Sequence, residues 1–96
     1  MDLNHLVQSK RGEILRLATL HGARNVRLFG SVARGDAHDD SDIDLLIDVG
    51  PQTTPWFPGG LVADLMSLLG RSVDVVTERG LRGDIRIRVL AEARPL

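Results

Sequence analysis

Cysteine is absent from the 96-residue chain. That absence removes disulfides, thiolate metal sites and cysteine nucleophiles together, and it suits a reducing compartment. Long apolar runs are missing too. No stretch approaches the length of a membrane span, and the opening residues MDLNHLVQSK lack the basic start and apolar centre of a secretory leader. Neither sign of charge dominates: twelve basic residues face thirteen acidic ones, for a formal net charge of -1. No global field therefore gathers an anionic membrane or nucleic acid, and direct stable nucleic-acid binding is not expected. Internal repeats and low-complexity tracts are also missing. A soluble, cytoplasmic protein is the expectation.

What is present is a globular balance, 43% hydrophobic and 26% charged, able to bury one modest core. Beginning with Met1, residues 1–96 read as a single domain with no room for a second. A domain of this size leaves much apolar surface uncovered, so oligomerisation with a partner subunit is expected.

Apolar residues recur at helical spacing through Leu3, Leu6, Val7, Ile14, Leu17 and Ala18, which predicts one helix from Leu3 to about His21 with Gly22 as its stop. Val26 to Phe29 reads as a strand cut off at Gly30-Ser31, with a short helix around Val32 to Gly35 and a polar loop from Asp36 to Asp40. Ser41 to Val49 passes from alternating to almost continuously apolar, the pattern of a central strand with one exposed end. Gly50 to Gly60 is a Pro-stiffened loop, Leu61 to Leu69 a helix ended by Gly70, and Ser72 to Thr77 a third strand. Asp84 to Ala93 fits either helix or strand, and a helix is the preferred reading. The alternation implies a small mixed or parallel sheet with helices packed on it, an α/β (α+β) fold.

The chemistry concentrates in three carboxylates. Residues two apart in extended chain share a face at about 6.5 to 7 Å, so Asp42 and Asp44 can converge on one ion while Ile43 points to the core. Asp74 lies between Val73 and Val75, an unusual place for an aspartate without a cation or strong donors to meet. Two carboxylates 4 Å apart repel by about 4 kcal/mol at an effective dielectric near 20, so something cationic must neutralise them. Oxygen ligands suit magnesium or manganese, and two ions would polarise a phosphorus and hold a leaving pyrophosphate. Gly30-Ser31 supplies bare backbone and a hydroxyl at a strand end, where a phosphate can approach. Arg34, one turn along, either reaches the same phosphates or merely projects from its helix.

Gly30-Ser31, ten intervening residues, Asp42-Ile-Asp44 and a later Val-Asp74-Val resemble the minimal nucleotidyltransferase (MNT) domains of the DNA polymerase β superfamily. The fuller run GSVARGDAHDDSDIDLLID carries that resemblance, and the match spans most of the chain. It implies a polymerase β-like core in which Asp42 and Asp44 bind Mg2+, Asp74 completes the site and helps deprotonate the acceptor, and Ser31 holds a terminal phosphate of ATP. Family members this short commonly serve as antitoxins of HEPN/MNT pairs, transferring AMP to a tyrosine of the HEPN ribonuclease toxin. The resemblance therefore implies a hetero-oligomer with such a toxin. A small-molecule acceptor such as an antibiotic, or a non-catalytic antitoxin that neutralises by binding alone, are the other readings.

Plainer roles stand beside these. Asp-x-Asp alone would serve as a polar strand start capped by Ser41, and Gly30-Ser31 as a turn with an N-cap serine. His38, Asp39 and Asp40 lack ligand spacing and read as solvated loop. Arg82, Arg86, Arg88 and Arg94 read as a solvated face, with partner docking or triphosphate steering as the lesser alternative. Trp56 and Phe57, two of only three aromatic residues, are read as folding back over the sheet, or else as covering a nucleotide base or anchoring a partner.

Overall fold

The computed structural model describes residues 2–96. Its elements are α1 (Leu3–Ser9), α2 (Arg11–His21), β1 (Ala23–Phe29), α3 (Gly30–Arg34), β2 (Ile43–Val49), α4 (Gly59–Leu69), β3 (Val73–Thr77), a 3-10 turn (Glu78–Gly80), α5 (Gly83–Glu92) and β4 (Arg94–Pro95). The strands form one mixed sheet in the order β3-β2-β1-β4. β1 runs antiparallel to both β2 and β4, and β2 runs parallel to β3. No helix among the described residues is long and apolar enough to cross a membrane.

β2 is the central strand that its apolar run announced. Ile43, Leu45 and Ile47 point to one face and are almost fully buried, together with Val26 and Leu28 of β1 and Val73 and Val75 of β3. Against them lie Leu3 and Val7 of α1, Ile14 and Ala18 of α2, and Leu61, Leu65 and Leu69 of α4. Each such side chain contributes about 1.5 to 3 kcal/mol by leaving water. Alternation sends Asp44, Leu46 and Asp48 to the opposite face, so the core anchors the strand that carries the acidic pair.

The expected single N-terminal helix is two. Asp2 caps α1 by accepting from the His5 N–H at 2.7 Å, and the chain bends at Lys10, whose φ and ψ are -106° and 12°. The Ser9 hydroxyl donates to the Leu6 carbonyl at 2.8 Å, and Gly12 adds a poor helix former just beyond the bend. Both segments keep the same apolar spacing, which concealed the break.

β1 starts earlier than expected, because a register shift between Arg24 and Arg27, with Asn25 at a φ of 50°, interrupts the alternation. β4 was not expected at all, since two residues carry no readable period. The preferred helix at the C-terminal side is α5.

The β2–α4 loop is pinned to the end of α2. Buried His21 meets Thr54 Oγ1 through Nδ1 at 2.6 Å and Asp64 Oδ2 through Nε2 at 2.7 Å. Gly22, at a φ of 93°, lies so near Gln52 that a Cβ there would stand 2.0 Å from its carbonyl oxygen. Phe57 packs on the core as expected. Trp56 does not: it is 90% exposed, held outward at a φ of 68°.

Leu45→Ala is expected to lower the unfolding free energy by about 3 kcal/mol in urea denaturation, through lost burial and a residual cavity. Met66→Ala, on the exposed side of α4, should change it by less than about 0.5 kcal/mol.

Candidate active site

β1 ends at Phe29, which stands opposite Asp44 in the sheet register. The next residue, Gly30, turns the chain into α3 at a φ of 77°, and a Cβ built there would lie 2.1 Å from Asp44 Oδ2 and 3.0 Å from its carboxyl carbon. Any side chain at position 30 would therefore displace the carboxylate as well as strain the backbone. Only glycine leaves Asp44 where it is.

On the other side of β2, the parallel register pairs Asp44 with Asp74. Adjacent strands lie about 4.8 Å apart and paired residues point to the same face, so these carboxylates are neighbours. Asp42 precedes the first residue of β2 and lies two positions before Asp44, on the face that Asp44 uses. The strand thus starts two residues later than the expected Ser41, because Ser41 is held in a turn: its N–H donates to the His38 carbonyl at 3.0 Å and its hydroxyl accepts from the His38 N–H at 2.7 Å.

Asp42 and Asp44 line an open pocket of about 370 Å³ with Gly30, Ser31 and Arg34 of α3. Asp74 is exposed beyond Asp44 and outside that lining. Ser31 lies inside the first turn of α3 rather than at its N-cap, which is Phe29 and has no side-chain cap. The capping role read from the sequence is replaced, and the hydroxyl sits on the pocket wall.

Burial, reinforced by the negative charges of Asp74, Asp42 and Glu92 and opposed by Arg34, pushes the Asp44 carboxyl up from its ordinary 3.8 to about 6. A half-buried carboxyl crowded by like charges is the kind of donor that fits a divalent cation. Among the described residues no three acidic or histidine side chains already close around a metal position. Magnesium does not require such a cage, because it is commonly bound through one or two carboxylates, with phosphate oxygens and water filling the other positions. Asp42 and Asp44 fit that role, with Asp74 alongside.

Arg34 lines the pocket, yet its guanidinium is engaged: Nη1 is 3.0 Å from Glu92 Oε2 and Nε is 3.2 Å from Asp36 Oδ2. These partners raise its pKa. The remaining wall comes from α5, where Ile85, Arg88, Val89 and Glu92 form one stripe at i, i+3, i+4 and i+7. Sequence reading missed this wall. Its signal was the helical spacing of those four residues, obscured by grouping Arg88 with the neighbouring arginines. Arg86 faces elsewhere and pairs with Glu78 at 2.9 Å. Trp56 and Phe57 are absent from the lining. They follow the far end of β2, whose seven residues span about 20 Å.

A model of the nucleotidyltransferase domain matches residues 14–96. The chain belongs to this nucleotidyltransferase family. Protein adenylyltransferase MntA of Thermococcus cleftensis is 38% identical over 73 residues, covering 74% of this chain and 72% of the relative. A solved minimal nucleotidyltransferase superposes with a TM-score of 0.86 at 46% identity, covering 100% of this chain and 97% of that one. A chain of the MntA–HpeT toxin–antitoxin complex superposes with a TM-score of 0.73 at 25% identity, covering 90% of this chain and 70% of that one. The domain is thus an MNT-type nucleotidyltransferase with the mixed sheet and packed helices of the polymerase β type.

Two outcomes follow from the Asp44 environment. A carboxyl whose folded pKa lies above its unfolded value favours the fold fully only below the unfolded value, and that contribution is lost as pH rises through about 6. Metal-free wild type should therefore lose about 1 kcal/mol relative to Asp44→Asn between pH 4 and pH 8, once solvent screening of this half-buried group is allowed for. Thermal melts across that range check it, and a gap that does not change with pH would refute it. Gly30→Ala should cost clearly more stability than Gly35→Ala. Both glycines have positive φ, but nothing lies within 4 Å of a Cβ at Gly35. Adding Asp44→Ala should relieve part of the Gly30→Ala loss.

Proposed function

We propose that this domain transfers AMP from ATP to a protein hydroxyl, the tyrosine of a HEPN-type ribonuclease toxin, and acts as that toxin's antitoxin in a hetero-oligomer. The observation that carries this reading is the registration of Asp44 beside Asp74 across two parallel strands, with Gly30 left bare against Asp44. The likeness to MntA, and to a chain of a toxin–antitoxin complex, supports a protein acceptor. So does the open pocket, which leaves the acceptor to bring much of its own binding surface. ATP as cosubstrate makes the cytoplasm the compartment we read for it, with residues 1–96 acting as one catalytic domain.

In this reading Asp42, Asp44 and Asp74 hold Mg2+, as two ions. When bound, the metal withdraws charge from the α-phosphoryl group and from the leaving pyrophosphate. Gly30 lets the polyphosphate approach the backbone, and Ser31 donates its hydroxyl to a terminal phosphate oxygen. Arg34 is tied to Glu92 and Asp36 through Nη1 and Nε, which offset its charge toward phosphate. The acceptor oxygen attacks the α-phosphorus in line, the bond from that phosphorus to the β-bridging oxygen breaks, and pyrophosphate departs. Asp74, exposed at the rim, takes the hydroxyl proton.

The test incubates the domain with α-labelled ATP, Mg2+ and its cognate toxin. Label is expected on the toxin, lost when the acceptor tyrosine is changed to phenylalanine and reduced at least about 1,000-fold by Asp42→Asn or Asp44→Asn, each of which removes a ligand charge. Label confined to small molecules would move the acceptor to that class, and protection without label would leave an antitoxin that works by binding alone.

A further inference from the structure

Two guanidinium groups line the carboxylate pocket, and among the described residues only Arg34 has its charge answered by a carboxylate. Arg34 is held by Glu92 and Asp36. Glu92 stands four residues beyond Arg88 on α5, the spacing at which a helix pairs a carboxylate with an arginine on its own surface. It reaches across to α3 instead, with contacts of 3.0 and 3.4 Å to Arg34 Nη1. Arg88 is thereby left exposed, with no carboxylate partner among the described residues. The other arginine of α5, Arg86, is tied to Glu78 and lines a different hollow with Ile47, Val49 and Leu81.

The pocket's charge balance shows what this cation meets. Its lining holds Asp42, Asp44 and Glu92 against Arg34 and Arg88. Glu92 is cancelled by Arg34, and the two aspartates are the pair that a divalent cation relieves. Arg88 remains as unspent positive charge on the wall facing Gly30 and Ser31. A planar guanidinium presents five donors in a fork that matches non-bridging phosphate oxygens, and it stays charged at every working pH. The helix that carries it is anchored on either side: Val89 is buried, and the Glu92–Arg34 pair links α5 to α3.

We propose that Arg88 is the cationic polyphosphate contact of this domain, reaching the β- and γ-phosphates of the nucleotide beside Ser31 and taking the role for which Arg34 was one candidate. The inference rests on the reading of the pocket as an ATP site and adds the side chain that discriminates a triphosphate from a monophosphate.

Calorimetric titration with the β,γ-imido analogue of ATP, and separately with AMP, both with Mg2+, tests it. Arg88→Gln is expected to raise the Kd for the analogue about tenfold or more, the size of a charge-assisted contact, while changing the Kd for AMP less than about twofold. Arg88→Lys should recover part of the loss. Arg34→Gln should have the smaller effect. Arg82→Gln removes the same charge from the start of α5 outside the pocket and should leave both affinities unchanged. Unaltered circular dichroism and melting temperature of Arg88→Gln establish that it is folded. Equal weakening of AMP and analogue, or no weakening of either, overturns the assignment of Arg88. If the wild-type domain binds neither nucleotide, the adenylyl-transfer reading itself falls, a result that no Arg88 variant could produce.

Discussion

Asp44 projects its carboxylate into space that exists only because the residue beside it has no side chain, and does so next to a second carboxylate that the sheet register cannot move away. Gly30 and Asp74 hold it from opposite sides. Relief by rotation is limited, because a strand side chain has one face to occupy and the other is filled by Ile43, Leu45 and Ile47. Burial first, and this repulsion with it, therefore holds the Asp44 pKa above its ordinary value. It is the constraint from which the rest of the site follows.

The hydrophobic core and the acidic rim are two sides of one strand. Burial of alternate residues against α1, α2 and α4 fixes β2, and fixing β2 fixes the positions of Asp42 and Asp44 on the other face. Carboxylates placed by a packed strand need little rearrangement to meet a ligand, which is the general source of electrostatic preorganisation. Loss of a core contact would be felt at the carboxylates through backbone position, with no change in the acidic residues themselves.

Charge pairing around the pocket follows a second logic. The carboxylate of α5 and the arginine of α3 neutralise each other across the gap between their helices. That pair ties the two walls together, and among the described residues Asp42, Asp44 and Asp74 form no ion pair. The thin shape of the molecule, 34 × 32 × 19 Å, leaves the rim shallow, so a bound nucleotide would remain open to a second macromolecule.

The sequence by itself determined which groups are candidates for chemistry and the order of the main elements. Gly30-Ser31, Asp42-x-Asp44 and Asp74 declare themselves because strand period and residue type are local properties, and β2 does so because burial on both sides leaves a continuous apolar run. The tertiary structure alone decided which charges meet. Pairing of Asp44 with Asp74 depends on strand register, the engagement of Arg34 depends on Glu92, 58 residues away, and the pocket wall of α5 depends on how that helix is laid against α3. The break at Lys10, the shift near Asn25 and the two-residue β4 were unreadable for a related reason: each is set by backbone hydrogen bonds and packing partners that leave no period in the chain. Trp56 faces solvent because its own backbone and the His21–Thr54 tether orient the loop, and neither is visible in composition. Local pattern names the groups that can do chemistry, and long-range packing settles their distances, on which every electrostatic energy in the site depends.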